Sequence, residues 1–400
     1  MKFIKKILIV ALSCIPLLLT AQSKAVRMLD NDRYWDIAGY IVSTDYRPTK
    51  HPRSNPDRGM QMVMRELEKT ISPYIEQHKL LYYSTDPNGD SILLSGCLYL
   101  PKQGDIRRLI VANHYTVCSN AEVPSQSLSF ESVFCLKGYA VLMADYLGYG
   151  VTSQQVHPYL HRQTEAQNVI DLVLQTIGGK QNRNTGLFGH RLLNDSIIIV
   201  GYSQGAAVSI AVMDMLQTCY ADDIHISKTY VGGGPYDPAS MYDEWVENDY
   251  TSIPCAIPLT ILGMDYGENL NLDLTHLFKD SLLMHYDEWV LSKKYSVNRI
   301  AQIMGSNKLT DCMPPTGLDK NDSQTRLFYQ AMQRQSLLDF IPHSPLLIFH
   351  SYDDKWVPFH CSKRLADNIG NNPLTTTDFG NYGNHMNAGI RFYKNIYRQL

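Results

Sequence analysis

The five residues Gly201-Tyr202-Ser203-Gln204-Gly205 limit what this chain can fold into more than any other stretch. They follow an apolar run, Ser196-Ile197-Ile198-Ile199-Val200, and precede Ala206-Ala207-Val208-Ser209-Ile210-Ala211-Val212-Met213, which suits a helix. Strand, sharp turn and helix in that order hold the central serine at the carboxyl end of a strand in a strained, exposed backbone, and glycines two residues to either side let neighbouring backbone pass. The serine hydroxyl is thereby offered to a substrate. The start of the following helix and the Gln204 amide are set to stabilise a developing oxyanion.

Around this turn the pattern alternates. Residues 79–85 and 91–100 read as a hairpin closed by Asn88-Gly89. Residues 108–112 and 139–144 are short continuous apolar runs, as expected of strands buried on both faces of a parallel sheet. Helix patterns cover 125–136 and 165–177, and Lys228-Thr229-Tyr230-Val231 resumes the strands after the turn. This is an α/β chain with a mostly parallel sheet flanked by helices. From there to the strand Leu346-Leu347-Ile348-Phe349 the chain spends far more residues than two αβ units of roughly 30 residues each require. The surplus, residues 237–340, reads as a helical cap inserted before that strand. A helix over 362–369, a strand over 374–379 and a helix over 386–397 complete a core made of 78–236 and 341–400. Residues 22–77 form an amino-terminal extension, with helical spacing over 59–72.

Residues 1–21 carry Lys2, Lys5 and Lys6, then an apolar run and the small-residue site Leu19-Thr20-Ala21, the layout of a secretory signal peptide. The run is short for a membrane span, so the reading is an exported protein, periplasmic or secreted, with no stable membrane span. A lipoprotein anchor at Cys14 is disfavoured because Ala11-Leu12-Ser13 is a poor lipobox and the apolar run continues past it. A formal charge of -3 offers nothing to nucleic acid. The cysteines after residue 21 are seven, an odd number matching no metal spacing; most read as buried hydrophobes, with room for one or two disulfides. His157 and His161 lie four apart, but Pro158 disfavours a helix and no third ligand is apparent, so no metal site is expected.

A nucleophilic serine needs a base, and the base needs a carboxylate to hold its tautomer. His350-Ser351-Tyr352-Asp353-Asp354-Lys355-Trp356-Val357-Pro358 begins at a strand end and offers two adjacent acids. His385 follows the last strand in a Gly/Asn loop, which completes the order Ser, Asp, His; His114, His350 and His360 are rival bases. The second oxyanion amide is expected from Asn113-His114-Tyr115-Thr116, at Tyr115 or Thr116.

With these segments, and with Ala144-Asp145-Tyr146-Leu147-Gly148-Tyr149-Gly150 and His157-Pro158-Tyr159, residues 78–400 resemble the α/β-hydrolase superfamily, and within it the secretory lipase and esterase group. The resemblance implies the α/β-hydrolase fold, Ser203 as nucleophile, Asp354 and His385 as its partners, and an inserted lid that shapes acyl specificity. Tyr115 departs from the glycine common after the histidine. The expected activity is hydrolysis of a small-molecule, lipid or acylated-carbohydrate ester through an acyl-enzyme, with no cofactor. Exported peptidases and acyltransferases share the scaffold, and a non-catalytic binding protein is a further alternative.

Overall fold

The computed structural model describes residues 26–27, 29–45, 55–182 and 186–400; the expected signal peptide and Cys14 lie outside them. Eight strands form one sheet: β1 (Ile75–Thr85), β2 (Ser91–Pro101), β3 (Leu109–Asn113), β4 (Ala140–Ala144), β5 (Ile197–Tyr202), β6 (Ile226–Gly232), β7 (Leu346–Ser351) and β8 (Thr375–Gly380). Their spatial order is β1-β2-β4-β3-β5-β6-β7-β8. Strand β2 runs antiparallel to β1 and β4. From β4 to β8 every pairing is parallel.

Alternation along the central strands explains the continuous apolar runs. In β5, Ile197 and Ile199 face one apolar cluster, while Ile198 and Val200 face the other. Helices cover both faces: α1 (Asp32–Asp45), α2 (Arg58–Ile71), α3 (Arg162–Ile177), α4 (Gln204–Cys219), α5 (Pro238–Asn248), α6 (Ala256–Glu268), α7 (Val297–Met304), α8 (Ser323–Arg334), α9 (Phe359–Ile369) and α10 (His385–Gln399), with single turns between them. Helices α3 and α4 bury Val169, Leu172, Val208 and Val212 in the first cluster. On the opposite face α1, α2 and α10 meet, burying Trp35, Leu67, Phe392 and Tyr397.

Two expectations shift. Strand β1 begins at Ile75, inside the stretch read as extension. The helix expected over 125–136 is a 3-10 segment, Phe130–Lys137. The Ser125 N–H is taken by Asp145 Oδ1 (2.9 Å) and the Ser129 N–H by the Tyr99 hydroxyl (3.2 Å), which holds the preceding backbone outside a helix. Between β6 and β7 the described elements are all helical, and their Trp245, Leu259 and Met264 join the first cluster.

Candidate active site

Strand β5 ends at Tyr202 and α4 starts at Gln204, so Ser203 alone makes the turn, with φ 58 and ψ -127. A non-glycine residue there costs on the order of 1–3 kcal/mol and persists only where its surroundings fix it. Here the Ser203 N–H donates to the Gly232 carbonyl at 2.8 Å. A Cβ at Gly201 would lie 2.0 Å from the Gly205 carbonyl oxygen, and one at Gly205 would lie 1.9 Å from that of Asn113. Only hydrogen fits at either position. The close approach at Gly205 seats the loop after β3 against the start of α4, which brings Tyr115 and Thr116 to the serine. Among the described residues the N–H groups of Tyr115 and Thr116 have no hydrogen-bond partner.

The loop after β7 turns Asp354 inward and leaves Asp353 exposed. Asp354 Oδ1 accepts from the Trp356 and Val357 N–H groups (2.9 and 3.1 Å), and Oδ2 meets His385 Nδ1 at 2.6 Å. Burial by itself would raise the Asp354 carboxyl; the His385 charge and bonds from His350 and His385 outweigh it and hold it well below the usual carboxylate range. His385, the first residue of α10, keeps Nε2 as its second nitrogen, and the Trp356 ring stacks on it at 5.2 Å and 20°. The Tyr202 hydroxyl donates to the His385 carbonyl at 2.7 Å, tying the histidine loop to the residue before Ser203.

The rival histidines are placed otherwise. His350 is buried against Ser362 Oγ (2.6 Å) and the Val357 carbonyl (3.0 Å), with Nε2 3.3 Å from Asp354 Oδ2. His114 bonds the Tyr115 carbonyl at 2.8 Å and lies tilted against the Tyr146 ring, and burial lowers its pKa. His360 pairs with Glu244 at 3.0 Å.

The Gln204 side chain, to which sequence reasoning gave no role, enters a second polar group beneath the turn. Its Nε2 donates to Glu165 Oε1 at 2.6 Å and lies 2.8 Å from His157 Nε2. His157 Nδ1 donates to the Leu147 carbonyl (2.7 Å), leaving Nε2 as the acceptor. Burial drives both ionisable groups neutral, His157 down to about 3 and Glu165 up to about 8. A signal for this was present: Glu165 sits on the helix face of Val169, Leu172 and Val173, where an apolar residue belongs.

Ser203 and His385 open on a slot of about 50 Å³ walled by Met60, Val63, Phe130, Met386 and Ile390. It continues past Tyr115, Thr116 and Trp356 into a cavity of about 370 Å³ bearing Asp57, Gln61, Ser127, Ser129, Ser296 and Asn298. Helix α2 lines both spaces. Among the described residues the segment 237–340 supplies Ser296, Val297 and Asn298 to the cavity and none to the slot. No group of three metal-ligating side chains occurs among the described residues.

The sheet order and the serine in its strand-to-helix turn are those of an α/β hydrolase, and the comparisons supply the class. Residues 127–386 match the secretory lipase family, and the chain belongs to that family; it is a carboxylic ester hydrolase. Its fold is similar to a putative hydrolase from Legionella pneumophila, at 19% identity over 85% of this chain and 94% of that one, with a TM-score of 0.70. A mutant of the rice cell wall degrading esterase LipA from Xanthomonas oryzae aligns at 19% identity over 84% and 95% of the two chains, with a TM-score of 0.68. Candida antarctica lipase A aligns at 12% identity over 78% and 73%, with a TM-score of 0.56. No curated protein matches the sequence. No described helix is long and apolar enough to cross a membrane.

Proposed function

We propose that this enzyme is exported by residues 1–21 and hydrolyses short-acyl esters of hydroxylated alcohols, with Ser203 as nucleophile, His385 as base and Asp354 as its partner. The observation that carries the reading is the 2.6 Å Asp354–His385 bond beside a strained serine in one slot. As Ser203 Oγ attacks the ester carbon, His385 Nε2 takes its proton and the ionised Asp354 offsets the imidazolium charge. The carbonyl oxygen becomes an oxyanion facing the N–H of Gln204 and that of Tyr115 or Thr116. Collapse expels the alcohol, which takes the proton back from His385. Water then repeats the sequence on the acyl-enzyme and releases the acid.

The slot has room for about four water-sized groups, which favours acetyl to butyryl over a long acyl chain. The polar cavity beyond it suits a hydroxyl-rich alcohol, and a structural neighbour is named as a cell wall degrading esterase. We assign residues 237–340 to an inserted cap and 78–236 with 341–400 to the catalytic core. On this reading α2, more than the cap, sets acyl length.

The test is turnover of p-nitrophenyl esters from acetyl to long-chain acyl and of acetylated oligosaccharides. Short chains should be preferred, and Ser203→Ala should lower kcat by on the order of 10⁴ or more. Equal turnover of long chains sinks the size argument; turnover untouched by Ser203→Ala sinks the mechanism.

A further inference from the structure

The segment His157-Pro158-Tyr159-Leu160-His161 is pressed between two glycines. A Cβ at Gly148 would lie 2.6 Å from His157 Cα, and one at Gly263 of α6 would lie 2.5 Å from the Tyr159 nitrogen, so only hydrogen fits at either position. Leu160 takes φ 62, a left-handed backbone that leucine keeps only where its surroundings fix it. His161 then leads into α3, with its Nδ1 2.8 Å from Thr164 Oγ1.

Two side chains of this segment reach the residues around Ser203. His157 Nε2 and Glu165 Oε1 lie 2.8 and 2.6 Å from Gln204 Nε2, so both hydrogens of that amide are spent. The Tyr159 hydroxyl bonds Thr116 Oγ1 at 2.9 Å. Gln204 is the first residue of α4, and its own N–H has no carbonyl within the helix to meet. The Thr116 N–H is equally unpartnered among the described residues. One short segment therefore grips the side chains of two residues whose amides are free.

We propose that His157 and Tyr159 are positioning residues for the oxyanion: His157, together with Glu165, sets the Gln204 N–H through the Gln204 side chain, and Tyr159 sets the Thr116 loop through the Thr116 hydroxyl. The proposal rests on the catalytic reading of Ser203. A donor stabilises the oxyanion only when it is aimed where the charge develops, so a small displacement is costly. Apolar side chains would fill the space beneath the turn with no polar group to satisfy, whereas a hydrogen-bonded trio admits one geometry. The Gly263 contact brings in the helical segment between β6 and β7, since α6 supports Tyr159 without lining the slot.

The test uses the full chain with p-nitrophenyl butyrate as substrate, kcat expressed per active site titrated with a fluorophosphonate, and an alkylboronic acid as mimic of the tetrahedral adduct. His157→Phe and Tyr159→Phe should each lower kcat by about tenfold with KM within about twofold, and weaken boronic acid binding by the same factor as kcat/KM. Glu165→Leu should lose as much as His157→Phe, and Glu165→Gln, which keeps an acceptor for Gln204, should recover most of that loss. Tyr159→Phe combined with Thr116→Val should lose no more than the worse single variant, because the hydroxyl acts through Thr116. Unchanged kcat per titrated site and unchanged boronic acid affinity, with only a lower thermal midpoint, overturn the proposal alone. So does a combined loss equal to the product of the single losses. Turnover that survives Ser203→Ala removes the catalytic reading and this proposal with it.

Discussion

Two histidine–carboxylate pairs flank the Ser203 turn, and they behave in opposite ways. His385–Asp354 and His157–Glu165 are all buried at 4% exposure or less. Asp354 receives two backbone N–H groups and two histidine contacts, which keep it ionised against burial. Glu165 receives one strong donor, the Gln204 amide, and burial wins: the acid rises to about 8 and its histidine, 3.5 Å away, falls to about 3. A histidine beside a buried acid thus yields a carboxylate able to offset a positive ring in one place and a neutral brace in the other. Backbone donors decide which, since a carboxylate out of water stays charged only where enough hydrogen bonds replace its hydration.

The sharpest way to break this contrast is to neutralise each acid in turn. Asp354→Asn should lower kcat by about 10⁴ at neutral pH through loss of the correct tautomer, with a much smaller change in KM. Glu165→Gln should keep kcat within about tenfold, because the folded Glu165 is uncharged and the new amide oxygen can still accept from Gln204. Comparable losses in steady-state kinetics would erase the distinction.

A smaller effect concerns stability. Folding raises Glu165 from its ordinary 4.5 to about 8, so the folded state holds the proton more tightly and stability contributed by the neutral acid is lost as pH rises through that window. Glu165→Gln should therefore lose about 5 kcal/mol less than the parent in urea unfolding across that range. Parallel pH profiles would show that Glu165 is ionised in the fold. The smallest expected effect is that of Asp353→Asn, an exposed side chain one residue from the acid. Its kcat should stay within about twofold, and a loss approaching that of Asp354→Asn would reassign the acid.

What could be read from the sequence follows from the range of the forces involved. The strand–turn–helix around Ser203 was legible because its strand, glycines and helix are contiguous and each obeys a local rule. That His385 shares a slot with Ser203 follows its chain order and its loop. The choice between Asp353 and Asp354 was not a matter of composition: it depends on the turn in which Asp354 collects the Trp356 and Val357 amides, and only a resemblance separated them. The second pair joins residues far apart in sequence, so Glu165 showed only as a charge on an apolar helix face. Likewise, 59–72 read as helical, but that this helix walls the slot is a tertiary fact. The resemblance assigned acyl specificity to the segment 237–340, whereas among the described residues α2 supplies Met60 and Val63 to the slot.

The meeting of α1 and α10 ties two parts of the molecule to one helix. Lys394 pairs with Asp32 and Asp36, and the Trp35 ring packs on Tyr397 at 5.8 Å. The same helix opens with His385. A chain cut before α10 would lose the residue proposed as base and the surface on which α1 packs in one step, so the anchoring of α1 and the proposed catalysis share a single support.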